Sequence, residues 1–253
     1  MPKTFNGVDV NSSNGQINWG RVKNAGIDFA IISAGEIRGN GFRQDRYFEK
    51  NIKGASENKI PAGVLIRVSE SSSNQETAKS DGFIGTLEKY RNLIALPVFL
   101  KAEEISGQQR QTDEETIKSI ADKIGKRGFS AGLCIDSAER GRIFSVADLW
   151  LWQENMRVRV VENTVVMPDG VAVWRYTSNG RVDGIPGAVG MNVGFKDYLA
   201  RRTRKVHIVR SGETLLAIAQ RNNTTYQKLM EINRIKNPNL IFPGQRIVIP
   251  REK

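Results

Sequence analysis

The stretch Ile94-Ala-Leu-Pro-Val-Phe-Leu-Lys-Ala-Glu-Glu104 runs from apolar residues straight into charge. Ile94, Leu96, Val98, Phe99 and Leu100 suit a strand covered on both faces, as in a parallel sheet. Lys101, Glu103 and Glu104 then stand at its C-terminal end, where an α/β barrel places its chemistry. Strand side chains alternate, so Lys101 and Glu103 share a face and Ala102 points away. A carboxyl group there can serve as an acid or base. A lysine beside it favours the ionised form and closes the two into an ion pair. Asp9, near the end of Phe5-Asn-Gly-Val-Asp-Val10, is a second acid at a strand end.

Other chemistries have few residues to use. The single histidine, His207, argues against histidine-based triads and histidine-rich metal sites. The single cysteine, Cys134, excludes an internal disulfide, and its neighbours Ala131-Gly-Leu-Cys-Ile135 make it a core thiol. No cofactor or metal is expected. No run approaches the ~20 apolar residues that span a bilayer. Met1-Pro-Lys-Thr-Phe-Asn6 lacks the apolar segment of a secretory leader. The expectation is synthesis in the cytoplasm, with no membrane partner.

The net charge of +11 is uneven: residues 201–253 carry +9 and residues 1–200 carry +2. A basic C-terminal module suits a polyanionic partner such as a cell-wall polymer, or is simply a solvated basic face. No nucleic-acid motif or aromatic stacking platform accompanies the charge, so nucleic acid is not an expected partner.

The elements that must position these residues follow in order. Strands are expected at 5–10, 27–33, 61–68, 94–104, 129–135, 148–152, 157–161 and 171–176. Helices are expected at 17–25, 44–58, 75–90 and 112–126, the last capped by Thr112 or Asp113. Gly35 to Gly41 reads as a loop. This alternation predicts an α/β fold, an irregular (β/α) TIM-like barrel over residues 1–198, with a doubly wound open sheet as the alternative. No glycine-rich phosphate loop follows the first strand, which counts against a nucleotide-binding sheet. Residues 199–205 read as a linker. Beyond it, strands at 206–209 and 246–249 and helices at 214–220 and 225–233 make a small α+β (βααβ) domain over 206–250.

That domain resembles LysM domains. The matching pieces are Val209-Arg-Ser-Gly-Glu-Thr-Leu215, Ile218-Ala219, Thr224-Thr225, Leu229, Ile232-Asn233 and Asn237-Pro-Asn-Leu-Ile-Phe-Pro-Gly-Gln-Arg-Ile-Val-Ile-Pro250. The resemblance implies binding of N-acetylglucosamine-containing glycan, chiefly peptidoglycan or chitin. It places the groove at Ser211, Gly212, Glu213, Thr214 and Leu215 on one loop and Asn239, Leu240, Ile241 and Phe242 on the other.

Residues 5 to about 198 resemble the glycoside hydrolase family 25 lysozymes, which are N-acetylmuramidases. The resemblance is carried by Gly7-Val-Asp-Val-Asn-Ser12, Ile17-Asn-Trp-Gly-Arg-Val-Lys23, Gly26-Ile-Asp-Phe-Ala-Ile-Ile-Ser-Ala-Gly35 and Tyr47-Phe-Glu-Lys-Asn-Ile52. Pro97-Val-Phe-Leu-Lys-Ala-Glu-Glu104 and Trp174-Arg-Tyr-Thr-Ser-Asn-Gly-Arg-Val-Asp-Gly-Ile-Pro-Gly187 complete it. It implies Glu103 as the general acid, Asp9 as a further catalytic acid, and Trp174 and Tyr176 among the glycan contacts.

Four positions depart from the family pattern. Its D-x-E pair reads Lys101-Ala-Glu103, and its V-D-L-N acid reads Gly190. An aromatic of the third strand is Leu65, and the glutamine of W-Q-Y is Arg175. Glycoside cleavage needs a protonated acid at the leaving oxygen and a second group to handle charge at the anomeric carbon. A lysine at 101 opposes both. The expected state is a Lys101–Glu103 ion pair on a barrel that is a weak or inactive hydrolase, a pseudoenzyme that still binds peptidoglycan. The alternatives are an active N-acetylmuramidase using Glu103, and a component of a phage tail or contractile particle with tail or baseplate partners. On each of these the site of action is the cell wall or a phage-like particle.

Overall fold

The structure is a computed structural model. It describes residues 4–38, 41–68, 76–102, 110–136, 150–154, 159–161, 164–166, 171–194, 206–233, 235 and 237–249. The chain divides into two compact units, Met1–Asp197 and Tyr198–Lys253. The expected linker, 199–205, lies outside the described residues.

In the first unit β1 (Phe5–Val10), β2 (Phe29–Arg38), β3 (Gly41–Gln44), β4 (Ala62–Val68), β5 (Ile94–Ala102), β6 (Ala131–Asp136) and β7 (Trp150–Glu154) alternate with α1 (Trp19–Asn24), α2 (Phe48–Glu57), α3 (Glu76–Lys89) and α4 (Arg110–Lys126). A short hairpin, β8 (Arg159–Val161) and β9 (Thr164–Val166), precedes β10 (Val171–Gly180) and β11 (Val189–Gly194). The strand order is β1-β11-β10-β7-β6-β5-β4-β2, and β1 pairs with β2 as well as with β11. Eight strands therefore close on themselves, which excludes the open doubly wound sheet. Every pair in the ring is parallel except the two made by β11.

Alternation along the strands sorts side chains into two layers. Val8, Val10, Ile32, Val64, Ile66, Val98, Leu100, Leu133 and Ile135 face outward. They share one core with Phe48, Ile52, Phe83, Leu87, Ile120 and Ile124 from the helices. The alternate residues face inward. There the Phe99 and Trp152 rings meet edge-on at 5.5 Å, and Cys134 is buried as expected. Burying an aromatic or aliphatic side chain contributes roughly 1.5–3 kcal/mol each, so both layers stabilise the ring.

Three expectations change. Gly35 to Gly41 is not a loop: β2 continues to Arg38 and turns back into β3, leaving only residues 39–40 outside the described set. Gly35 takes φ +144°, and a Cβ there would overlap the Arg43 carbonyl, so the close approach of β3 requires glycine. The helix expected at 44–58 begins only at Phe48, because Gln44 belongs to β3 and Asp45 accepts from the Tyr47 amide in a turn. α4 begins at Arg110, which places Thr112 and Asp113 inside the helix and not at its cap.

In the second unit β12 (Val206–Ile208) and β13 (Arg246–Val248) pair antiparallel, with α5 (Leu215–Arg221) and α6 (Tyr226–Asn233) between them. Val209, Leu215, Ile218, Ala219, Leu229, Ile247 and Ile249 form its core. Asn233 ties α6 to β13: its amide donates to the Val248 carbonyl at 2.9 Å and its oxygen accepts from the Val248 amide at 2.7 Å.

Candidate functional site

At the mouth formed by the C-terminal ends of the parallel strands, strands β1, β5, β7 and β10 and the antiparallel β11 each send a polar side chain inward. Asp9 comes from β1, Lys101 from β5, Glu154 from β7, Arg175 from β10 and Asn192 from β11. The Lys101 ammonium donates to Glu154 Oε2, and Arg175 Nη1 donates to Glu154 Oε1 at 2.5 Å. Arg175 Nε lies 3.3 Å from Asp9 Oδ1, which also accepts from the Asn192 amide at 2.8 Å. Trp152 Nε1 donates to the Asn192 oxygen at 2.9 Å and thereby orients that amide. The network is largely sealed: the Glu154 and Asp9 side chains are 6% and 10% exposed.

Its electrostatics follow from burial against pairing. Burial pushes the Asp9 carboxyl up, and Arg175 and the Asn192 hydrogen bond oppose this without cancelling it. Burial also acts against ionised Glu154, but the hydrogen bond and charge of Lys101 and the charge of Arg175 outweigh it and hold its pKa below the usual range. For Lys101, burial opposes the charge while Cys134 and Glu154 support it, and its pKa rises. Burial pushes the Cys134 thiol up strongly, so near neutrality Cys134 is uncharged and, among the described residues, Glu154 supports the Lys101 ammonium. Burial opposes Arg175 too, and Asp9 and Glu154 outweigh it. Among the described residues, two carboxyl groups thus face two cations. Glu154 is kept ionised and is a poor proton donor, and Asp9 is the acid more easily protonated.

Lys101 has a partner that was not expected, and the expected Lys101–Glu103 pair falls outside what the structure describes. Glu103 and Glu104 lie outside the described residues, and the ammonium is held by Glu154, 53 positions further along the chain. Gly190 sits opposite Asp9 in the β1–β11 register, and a Cβ there would overlap the Asp9 carboxylate. Glycine at 190 is therefore what allows the observed Asp9 position. Leu65 is buried on β4, beside Phe99 in register. Trp174 and Tyr176 form a tilted ring pair at 5.6 Å, and Arg175 between them is the residue that enters the network. Sequence reasoning missed Glu154. The signal was the ending of Trp150-Leu-Trp-Gln-Glu154, an acid closing a tryptophan-rich strand.

In the second unit Val209 accepts from the Gly244 amide and donates to the Gln245 carbonyl, each at 2.8 Å. This sets the turn at 210–213 beside the loop at 239–245. The Glu213 carboxylate accepts from the Arg210 amide at 2.8 Å, meets His207 Nε2 at 2.6 Å and accepts from Arg221 at 2.7 Å. The Arg210 hydrogen bond, then His207, lower its pKa to about 2. Glu213 therefore shapes the turn from within. Thr214 accepts from the Ala217 amide and caps α5. Leu215 is 1% exposed, so its side chain is core and not a sugar-facing surface, which corrects its assignment to the groove. Ile241 packs partly against the same core. Ser211, Gly212, Asn239, Leu240 and Phe242 are exposed, the last two at 58% and 64%. Two large apolar side chains held open on one loop suit the flat face of a sugar ring.

Known proteins share both units. Residues 207–250 match the LysM domain model. The N-acetylmuramoyl-L-alanine amidase sle1 of Staphylococcus epidermidis is 46% identical over 44 residues, which are 17% of this chain and 13% of the amidase. The cortical fragment-lytic enzyme of Bacillus subtilis is 44% identical over 46 residues, 18% of this chain and 11% of that enzyme. The chain thus spans only a small part of these relatives. For the first unit, the bacterial lysozyme from Streptomyces coelicolor superposes with a TM-score of 0.58 at 23% identity, covering 74% of this chain and 90% of that one. The spore cortex lytic enzyme SleM of Clostridium perfringens gives 0.62 at 20%, covering 76% and 67%. The modular autolysin LytC of Streptococcus pneumoniae, solved with a synthetic peptidoglycan ligand, gives 0.59 at 20%, covering 75% and 46%. At these identities the likeness is one of fold. Residues 8–185 also match the model of glycosyl hydrolases family 25, and with the eight-stranded ring and its acid-bearing mouth this places the chain in that family.

Proposed function

We propose that the protein binds peptidoglycan, or another N-acetylglucosamine-containing wall glycan, through its LysM domain, and that its family 25 barrel grips glycan with little or no cleavage. One observation carries this: Lys101 and Arg175 hold Glu154 ionised beside Asp9, at the strand ends where hydrolysis requires an available proton. The exposed Leu240 and Phe242 support the binding half of the reading. Calorimetry with N-acetylglucosamine oligomers and soluble peptidoglycan fragments should show saturable heat, while purified walls release no new reducing ends. Absence of heat with both ligands would overturn the reading.

A second reading, an active N-acetylmuramidase with Glu103 as acid, is favoured by the retained Asp9 and its upward-shifted pKa. It requires reducing-end release that Glu103→Gln abolishes. Assembly into a phage tail or contractile particle is a third use of the same two units. Recovery of the full-length chain in purified particles would establish it.

A further inference from the structure

We infer that the barrel mouth carries an oxyanion subsite, a cationic groove that takes a phosphate or carboxylate group borne by a wall glycan chain. This deepens the glycan-binding reading above and rests on it. The groove has a volume of about 340 Å³ and lies where β1, β2 and β4 end and β3 folds back. Arg43, Arg46 and Arg67 line it, with Glu36 and Asp45 as its acids. Glu36 stands between Arg43 and Arg67 in the sheet register, and both acids have other partners. Glu36 pairs with Arg38 at 2.6 Å, and Asp45 accepts from the Ser12 and Tyr47 amides, each at 2.8 Å. Arg46 lies over the Tyr47 ring at 5.3 Å. Arg43 and Arg67 are exposed and have no carboxylate partner among the described residues.

The backbone places both arginines at this groove. The positive φ of Gly35 lets β3 close against β2 and carries Arg43 to the rim. Arg67 is the register partner of Lys101, so the groove adjoins the Asp9–Glu154 network on the same face of the barrel. Arg38, Arg43, Arg46 and Arg67 outnumber Glu36 and Asp45 among the described residues here, and a neutral N-acetylated sugar adds no counter-charge. A planar guanidinium fork matches a carboxylate or phosphate in two parallel hydrogen bonds, and two such forks at one groove favour an anionic substituent. The volume admits roughly one substituted sugar residue.

The test uses the full chain, wild type and Arg43→Ala/Arg67→Ala, with three probes. These are a neutral N-acetylglucosamine pentamer, a glycerol-phosphate oligomer, and the N-acetylglucosaminyl-N-acetylmuramic acid disaccharide with its carboxylate free. The basic C-terminal module attracts polyanions equally in both proteins, so the difference between them is the readout. The double variant should lose affinity by about 10- to 100-fold for the phosphate or the carboxylate probe, and the arm that falls names the source. Pentamer binding and the unfolding midpoint should not change. Equal affinity of the two proteins for both anionic probes, with pentamer binding intact, would overturn the subsite and leave the glycan-binding reading standing. Failure of the wild type to bind the pentamer or either anionic probe would overturn the parent reading instead.

Discussion

Gly190 faces Asp9 across the β1–β11 pair, with no room for a side chain between its Cα and the Asp9 carboxylate. The acid that the family pattern places at 190 and the Asp9 seen here cannot occupy their positions together. Gly190→Ala is the smallest change that tests this. Asp9 must swing away, losing its 2.8 Å hydrogen bond from Asn192 and its pairing with Arg175. The expected cost is about 1–3 kcal/mol, read as a lower urea midpoint by tryptophan fluorescence. All four tryptophans lie in the first unit, so the signal reports the barrel alone. An unchanged midpoint would show that Asp9 moves freely.

Lys101→Met tests the other side of the network. It removes one of two cations from a carboxylate that is 6% exposed. Breaking a buried pair from one side costs about 3–5 kcal/mol when no partner remains. Arg175 still holds Glu154 and Lys101 is partly exposed, so about 1–3 kcal/mol is expected here. Lys101→Met with Glu154→Leu should cost less than the two single changes summed, because each single change leaves its partner with one contact fewer and the double change removes both groups. A double variant as unstable as the sum of the singles would refute the coupling.

Much of this arrangement could be read from the chain, and what could not has physical causes. The ring of parallel strands announced itself through apolar runs ending in charge, as at Ile94 to Lys101. β11 did not, since Val189-Gly-Met-Asn-Val-Gly194 has two glycines and low strand propensity. It forms because Gly190 admits Asp9, a requirement visible only across the sheet. Alternation is local knowledge, so it offers Glu103 to Lys101, and Glu103 lies outside the described residues. Glu154, the partner that is described, comes from another strand, and pairing over 53 residues has no signature in spacing. In the LysM unit the turn signals located both loops correctly, but they could not distinguish the core-facing Leu215 from the exposed Leu240.

Acid should loosen the LysM unit through Glu213. Its folded pKa of about 2 lies below the model-peptide value of 4.5. A depressed carboxyl stabilises the fold above the unfolded pKa and loses that contribution as pH falls through the folded one. The window is therefore about pH 4.5 down to about 2. Amide NMR signals of Ile218 and Ala219 in the full chain should show lower protection across that window. Glu213→Gln should flatten the dependence and lower protection at neutral pH. A wild-type profile with no change between these values would remove Glu213 from its organising role.

The barrel should respond to acid with two opposed contributions. Glu154 has a lowered pKa, so its stabilisation is present above the unfolded value of 4.5 and is lost as pH falls through the folded one. Asp9 has a raised pKa, so its contribution is fully present below 3.8 and is lost as pH rises through the folded value. Between these limits the effects offset each other, and the wild-type barrel should show a shallow pH dependence below about 5. Asp9→Asn removes only the second effect. Its tryptophan-monitored stability should then fall more steeply with acid than the wild type's, with Glu154 as the remaining cause. Parallel profiles for the two proteins would mean that Asp9 is ionised as readily in the fold as outside it.

Restoring the family's acid at 101 should not by itself restore hydrolysis. Lys101→Asp exchanges the cation on Glu154 for a like charge, which raises the Glu154 pKa and leaves Arg175 as its only partner in the network. Arg175 also continues to hold Asp9, and Gly190 still leaves its acid position empty. Reducing-end release from purified walls should stay at background for Lys101→Asp. With Arg175→Gln added, Glu154 and Asp9 lose their shared cation, and release above background is the expected sign that the clamp silenced the site. Release from Lys101→Asp alone would place the whole block on residue 101. Silence of both variants, with glycan binding intact, would place it on Gly190 and the position it gives Asp9.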